Sequence, residues 1–262
     1  MLIYHQTTFD ILDKVPQVDQ SASQKLKQCE QIFGFSFPLS FREWYSLSHS
    51  YEILTEYSND DFPLSLEELL NVHANWHSYS HFSLNLASQR MLPFLWENQA
   101  VFLCVIKLDE SDDPPVLLWD DDNEWKLTNK HFSSFISHWV WNCLYFRKYF
   151  NTVLRADENN LRETDILFLR SKFKELAQKS PNSTVFHFQE DDKHVHVWKE
   201  NEQASHWWLR ADSRASLLEL TQTVWDCGTL ATTLSLQGGY IHNDAGKVLE
   251  FLRFGVEHNK KR

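Results

Sequence analysis

Glycine is scarce in this 262-residue chain, at six positions. That scarcity leaves no G-x-S-x-G nucleophile turn, no phosphate-cradling loop and no dinucleotide fingerprint, because each needs glycine where the backbone bends sharply or approaches a ligand. Cys29, Cys104, Cys143 and Cys227 include no C-x-x-C pair and sit among apolar neighbours. They read as reduced, buried thiols in a reducing compartment, not as a disulfide framework. No apolar run approaches the roughly 20 residues that span a bilayer. The first residues also lack the basic start, apolar centre and small-residue cleavage site of a signal peptide. The expected location is cytoplasmic, with no membrane partner.

Cations are the minority charge, 25 Lys and Arg against 36 Asp and Glu, for a net charge of −11. Phosphate contacts need Lys and Arg, so nucleic acid is not the expected partner. An acidic surface favours a basic protein, met at a salt-sensitive rate, although an acidic balance also serves simply to keep a protein dispersed. What the chain has in plenty is aromatic, with 11 Trp and 19 Phe. Such rings suit the core of a small sheet and a binding face equally. The length allows one large domain or two small ones, each able to bury a core.

The stretch 92–141 organises the rest. Residues 101–108 and 116–119 are apolar, β-branched runs flanked by turn-forming residues, and 125–127 is a shorter run after the polar turn 120–124. All three read as strands. Phe132, Phe135, Ile136 and Trp139 then recur at helical spacing. A β-meander with a helix on its face is predicted.

Upstream, residues 9–12 suit a first strand or a short helix, and residues 16–23 a connection with Ser21 or Ser23 as a helix cap. Leu26, Cys29, Ile32 and Phe33 share one helical face that ends at Gly34. Pro38 suits the first turn of a second helix whose apolar face is Phe41, Trp44, Tyr45 and Leu47. Ser65 and Glu68 have capping-box spacing for a third.

Downstream, the polar residues 157–160 read as a loop or domain boundary. Ile166, Leu169, Phe173 and Leu176 fit a helix that stops before Ser180-Pro181, and 184–188, 194–198 and 206–210 read as a second strand meander. Asp212 or Ser213 caps a helix carrying Leu217, Leu220, Val224 and Trp225, and residues 243–254 suit a final helix ending at Gly255. The tetrapeptides at 140–143 and 224–227 are similar, which would make the C-terminal part a degenerate second copy of the sheet-plus-helix unit, or else a coincidence in a Trp-rich chain. The expected fold class is α+β: an antiparallel or mixed β-meander packed against helices over residues 1–156, with an α+β extension over 157–262.

Two blocks carry a resemblance. One is Glu97-Asn98-Gln99, then a strand, Pro114-Pro115-Val116 leading the next strand, a Trp after an acidic turn, and Phe132-Ser133-Ser134-Phe135. The other is Phe37-Pro38-Leu39-Ser40-Phe41-Arg42-Glu43-Trp44-Tyr45, like a proline-started second helix. Together they resemble the SUKH superfamily of Smi/Knr-like domains, over roughly residues 20 to 150. Many members are bacterial immunity proteins. One departure stands out: the superfamily often places Gly soon after that helix, where this chain has Ser48-His49-Ser50. The resemblance implies a non-enzymatic immunity or regulatory protein of the toxin–antitoxin kind, which binds and blocks a toxin or effector, with no cofactor and a protein partner such as a basic toxin. Other relatives imply a cytosolic scaffold.

Candidate partner-binding residues are the acidic turns and nearby aromatics: Asp112, Asp113, Asp120, Asp121, Asp122, Glu124, Trp125 and Trp96. The plainer reading is that the acids are solvated turns and the Trp rings are core. The alternative is a metal-dependent enzyme. His73, His77 and His81 fall at i, i+4 and i+8 of one helix face, but Ala74 stands where a zinc protease needs Glu. His194 and His196 share a strand face, with His187 across from them, a pattern that exposed strand positions also produce. Asp120, Asp122 and Glu124 begin like a calcium loop, but Trp125 and His131 replace its essential Gly and Glu.

Overall fold

The computed structural model describes residues 2–57, 62–74, 84–97, 101–119, 124–148, 152–176, 185–200, 204–236 and 243–255. Two compact units result, one of Met1–Cys143 and the other of Leu144–Ala177 with Thr184–Arg262. Both are α+β with antiparallel sheets, as the patterning predicts.

The first unit opens with four helices: α1 (Gln6–Leu12), α2 (Gln20–Phe33), α3 (Leu39–Tyr45) and α4 (Ser50–Tyr57). Helix α1 has no cap of its own. The carboxylate of Glu43, on α3, accepts instead from the amides of Ile3, Tyr4 and His5 at 2.7, 2.7 and 2.9 Å, so three donors that would lack a helical partner are satisfied from another element. Asp19, not Ser21 or Ser23, caps α2 by accepting from the Ser21 and Ala22 amides. Gly34 ends it in the left-handed region at φ 79. Pro38 stands at the cap of α3 and Leu39 begins the helix.

Helix α4 begins at the end of the Ser48-His49-Ser50 connection and is not among the helices that the sequence patterning predicts. His49 precedes it with a left-handed backbone at φ 63, a conformation that glycine adopts at no steric cost. The Asp19 amide donates to the Ser46 carbonyl and the Ser48 amide to the Gln17 carbonyl, each at 2.8 Å, which fixes the chain on both sides.

After β1 (Phe62–Pro63), α5 (Leu66–Ala74) begins with the anticipated capping box. The Ser65 amide donates to Glu68 at 2.7 Å and the Glu68 amide to the Ser65 hydroxyl at 3.2 Å. Strands β2 (Met91–Trp96), β3 (Leu103–Lys107), β4 (Val116–Trp119) and β5 (Trp125–Asn129) then form a sheet of order β1-β2-β3-β4-β5. Strand β2 was hidden from pattern reading by Pro93, whose missing donor coincides with a register shift between Pro93 and Leu95. Helix α6 (Phe132–Lys148) follows. Phe132 is fully buried, with ring centroids 5.1 Å from Phe94 and 5.4 Å from Phe41. Part of the aromatic excess is therefore core, including Phe41, Trp44, Phe94, Phe132 and Trp141, where each ring removes a large area from water.

The second unit contains β6 (Val153–Asn159), α7 (Glu163–Lys172), β7 (Lys174–Glu175), β8 (Val185–Glu190), β9 (Lys193–Lys199), β10 (Ser205–Arg210), α8 (Arg214–Val224), α9 (Leu230–Thr233), β11 (Leu234–Leu236) and α10 (Asp244–Phe254). Its sheet order is β11-β6-β10-β9-β8-β7. The loop expected at 157–160 is in fact the end of β6. Leu154 and Ala156 are buried while Arg155 and Asp157 alternate with them toward the other face, joined by an ion pair at 2.7 Å. Short strands carrying charge on one face imitate a loop in sequence. Helix α7 also stops sooner than expected, at Phe173, and the chain turns into β7.

One sheet face packs Leu154, Phe188, Val195, Val197, Trp207 and Leu209 against apolar residues of α7, α8, α9 and α10. Asp165 ties α7 to the turn after α8. Burial pushes its carboxyl up, but the Arg162 guanidinium at 2.6 Å and the Arg162 and Gly228 amides outweigh this and hold it below the ordinary carboxylate range. Ser213 and Asn243 cap α8 and α10, and Gly255 ends α10 at φ 64. The similar tetrapeptides occupy different places: 140–143 lies within α6, whereas 224–227 begins on the last residue of α8 and runs past its end.

Candidate functional site

Among the described residues, a cleft that combines concavity with chemistry lies in the first unit. It is about 560 Å³ and open, with one wall made by residues 33–42, where α2 ends and α3 begins, and the other by Arg90 and residues 108–112. Gly34 reverses the chain, so Phe33, Phe35 and Phe37 meet instead of alternating outward. Their centroids are 5.3 to 5.8 Å apart, all edge to face, the arrangement that the ring quadrupole favours. Phe33 and Phe37 are buried, while Phe35 is half-buried and Leu39 is exposed at the cleft.

Backbone hydrogen bonds hold the walls. The Ser40 amide donates to the Asp112 carbonyl at 2.8 Å, joining one wall to the other. Glu30 Oε1 accepts from the Phe37 amide at 2.7 Å and lies 3.3 Å from Arg42 Nε. On the far wall Arg90 and Glu110 form an ion pair at 3.7 Å. Both have left-handed backbones, at φ 52 and 72, a conformation that costs a non-glycine residue free energy.

The acidic and aromatic candidates are dispersed. Asp112 is exposed and lines the cleft. Asp113 faces away from solvent and accepts from the Ser133 amide at 2.9 Å and the Ser133 hydroxyl at 2.6 Å, capping α6 from a distant loop. Glu124 is exposed beside β5. Half-buried Trp125 donates through Nε1 to Gln89 Oε1 at 2.8 Å and packs 5.1 Å from Trp119. Trp96, half-buried, ends β2 opposite Leu103. Asp120, Asp121 and Asp122 lie outside the described residues. What sequence reading missed was the phenylalanine triangle and the Arg90–Glu110 pair. The alternation Phe33-x-Phe35-x-Phe37 across Gly34 was the available signal.

The histidine sets have different fates. His73 is in the last turn of α5 with its ring 4.8 Å from Phe33, and His77 and His81 lie outside the described residues. His187, His194 and His196 do come together, but they are buried, not exposed strand positions. His187 Nδ1 lies 3.4 Å from His196 Nδ1, and its Nε2 lies 3.3 Å from His194 Nδ1. Because His187 faces its neighbours with opposite edges of the ring, the three do not converge on one point as metal ligands would. No group of three His, Cys, Asp or Glu among the described residues is placed to hold a metal ion.

Burial, with His194 and Arg210 nearby, lowers His187 well below 6.5. Burial and Arg210, opposed by Asp212 and Asp192, lower His194 to about 4. Burial likewise raises the Cys29 thiol and pushes Cys227 up to about 12, so both stay protonated and poorly nucleophilic. No helix among the described residues is long and apolar enough to cross a membrane.

Residues 22–138 match the SMI1 / KNR4 family (SUKH-1). The match bears out the SUKH resemblance and contains the whole cleft. No curated protein and no solved structure matches the chain.

Proposed function

We propose that this protein is a non-enzymatic binding module of the immunity or regulatory kind, acting in the cytoplasm, that covers a surface of a toxin or effector protein and blocks it. The observation that supports this best is the phenylalanine cleft with acid at its rim, inside the span that matches SUKH-1. Among the described residues its lining includes Ser36 and Ser111 but no His to activate them. A preformed apolar concavity with a polar margin is what a protein interface uses at its centre. Blocking a partner requires only occupancy. The net charge of −11 favours a basic partner.

The reading is tested by co-expressing the chain with the product of each neighbouring gene and measuring growth and complex formation. A toxic neighbour should be neutralised and should co-purify at fixed stoichiometry. Changing exposed Leu39 to Asp should weaken both, through faster dissociation, without loss of helical circular dichroism. If no neighbouring product is toxic or bound, the immunity reading fails.

A further inference from the structure

Building on that partner-binding reading, we propose that the phenylalanine cleft accepts an apolar side chain of the partner protein together with an adjacent Lys or Arg, whose charge is taken by Glu110 and Asp112. The apolar half of the site is already assembled. Phe33, Phe37 and Leu108 are buried and fixed, while Phe35 and Leu39 reach the open side. A volume of about 560 Å³ lies within the range of pockets that bury most of a ligand.

The charged half follows from which groups are already engaged. Arg42 is held by Glu30, whose Oε1 is also fixed by the Phe37 amide, so that guanidinium belongs to the wall. Arg90 and Glu110 are 63% and 82% exposed and 3.7 Å apart, which makes them a water-screened pair that is cheaply exchanged. The carboxylate of Asp112 makes no hydrogen bond or ion pair among the described residues. An incoming cation therefore finds one free carboxylate and a second whose present partner is easily replaced. An incoming anion could take only Arg90, and would do so beside both carboxylates, with Arg42 already committed.

The backbone agrees. Arg90 and Glu110 sit on two turns, both left-handed, and the Leu108 amide donates to the Arg90 carbonyl at 2.8 Å to join those turns. Non-glycine residues persist in this conformation where the surroundings over-determine them, a pattern concentrated at binding sites. Glu110 is thus presented from a turn that the Leu108 amide ties to the turn carrying Arg90.

The test uses the full chain with labelled phenylalanine and an NMR titration with the blocked peptide acetyl-Gly-Phe-Arg-Gly-amide. Acetyl-Gly-Phe-Glu-Gly-amide and acetyl-Gly-Ala-Arg-Gly-amide serve as comparisons. The Phe-Arg peptide should shift the Phe33, Phe35 and Phe37 rings and bind about tenfold or more tightly than either comparison. The Glu110→Gln, Asp112→Asn variant should lose that preference while its spectrum stays folded. Absence of shifts in the three rings, or equal binding of the Phe-Glu peptide, overturns the proposal. A tight partner complex unchanged in the double variant also overturns it while leaving the functional reading intact. Peptide binding without any protein partner does the reverse.

Discussion

Asp113 places both carboxylate oxygens on Ser133 at the start of α6, whereas Asp112, one position earlier, leaves its own in water. Removing a cap that serves a helix from a largely buried site should cost about 1–2 kcal/mol, since the Ser133 amide is left without its acceptor. Asp113→Ala should therefore lower the unfolding free energy obtained from urea melts by that amount, and Asp112→Ala should change it by less than about 0.5 kcal/mol. Equal effects would mean that Asp113 does not cap the helix. His49 offers a change of opposite sign. Its backbone is left-handed at φ 63 and its side chain is exposed. Glycine there removes the steric penalty at some cost in unfolded-state entropy, so His49→Gly should stabilise by up to about 1 kcal/mol and raise Tm by roughly 2–4 °C. A lower Tm, measured by calorimetry, would show that the imidazole contributes more than the strain it carries.

At the scale of elements, strong periodicity made most of the fold legible. The capping box of α5, the apolar stripes of α2 and α8, and strands β3, β4, β8, β9 and β10 all follow from spacing that the sequence displays. What was not legible depended on tertiary partners. Strand β6 looks like a loop because its charged residues form pairs visible only across the sheet, as when His206 Nδ1 meets Asp157 Oδ1 at 2.8 Å. Strand β2 was disguised by Pro93, and α1 is capped by a residue far along the chain. The cleft was the least legible part, since Arg90 and Glu110 approach each other only after the sheet has formed.

The histidine cluster of β8 and β9 carries a consequence at the same scale. His187 is held well below 6.5 and His194 at about 4, so the folded chain keeps these rings neutral while the unfolded chain protonates near 6.5. The unfolded state binds more protons in that window. Stability is therefore present above about pH 6.5 and is lost as pH falls toward 4, by up to about 1.4 kcal/mol per pH unit for each ring. Urea melts at intervals from pH 7 to pH 4 should show this slope, and His187→Gln with His194→Gln should flatten it. An unchanged slope in that variant would assign the acid sensitivity to other groups.

On the scale of the whole molecule, the excess of 36 acidic over 25 basic residues acts regardless of which side chains touch a partner. A summed field of this sign accelerates encounter with a positively charged surface and is screened by salt, whereas burial of the apolar wall of the cleft is not. The two contributions should separate kinetically. Raising salt from about 10 mM to about 150 mM shortens the screening length from roughly 30 Å to 8 Å, so the association rate with a basic partner should fall by about tenfold or more while dissociation changes little. Leu39→Asp should do the opposite, speeding dissociation while leaving the salt dependence of association in place. Surface plasmon resonance across that salt range distinguishes the cases. A salt-independent association rate would mean that the acidic surface has no part in finding the partner, and that shape and apolar contact at the cleft account for recognition without it.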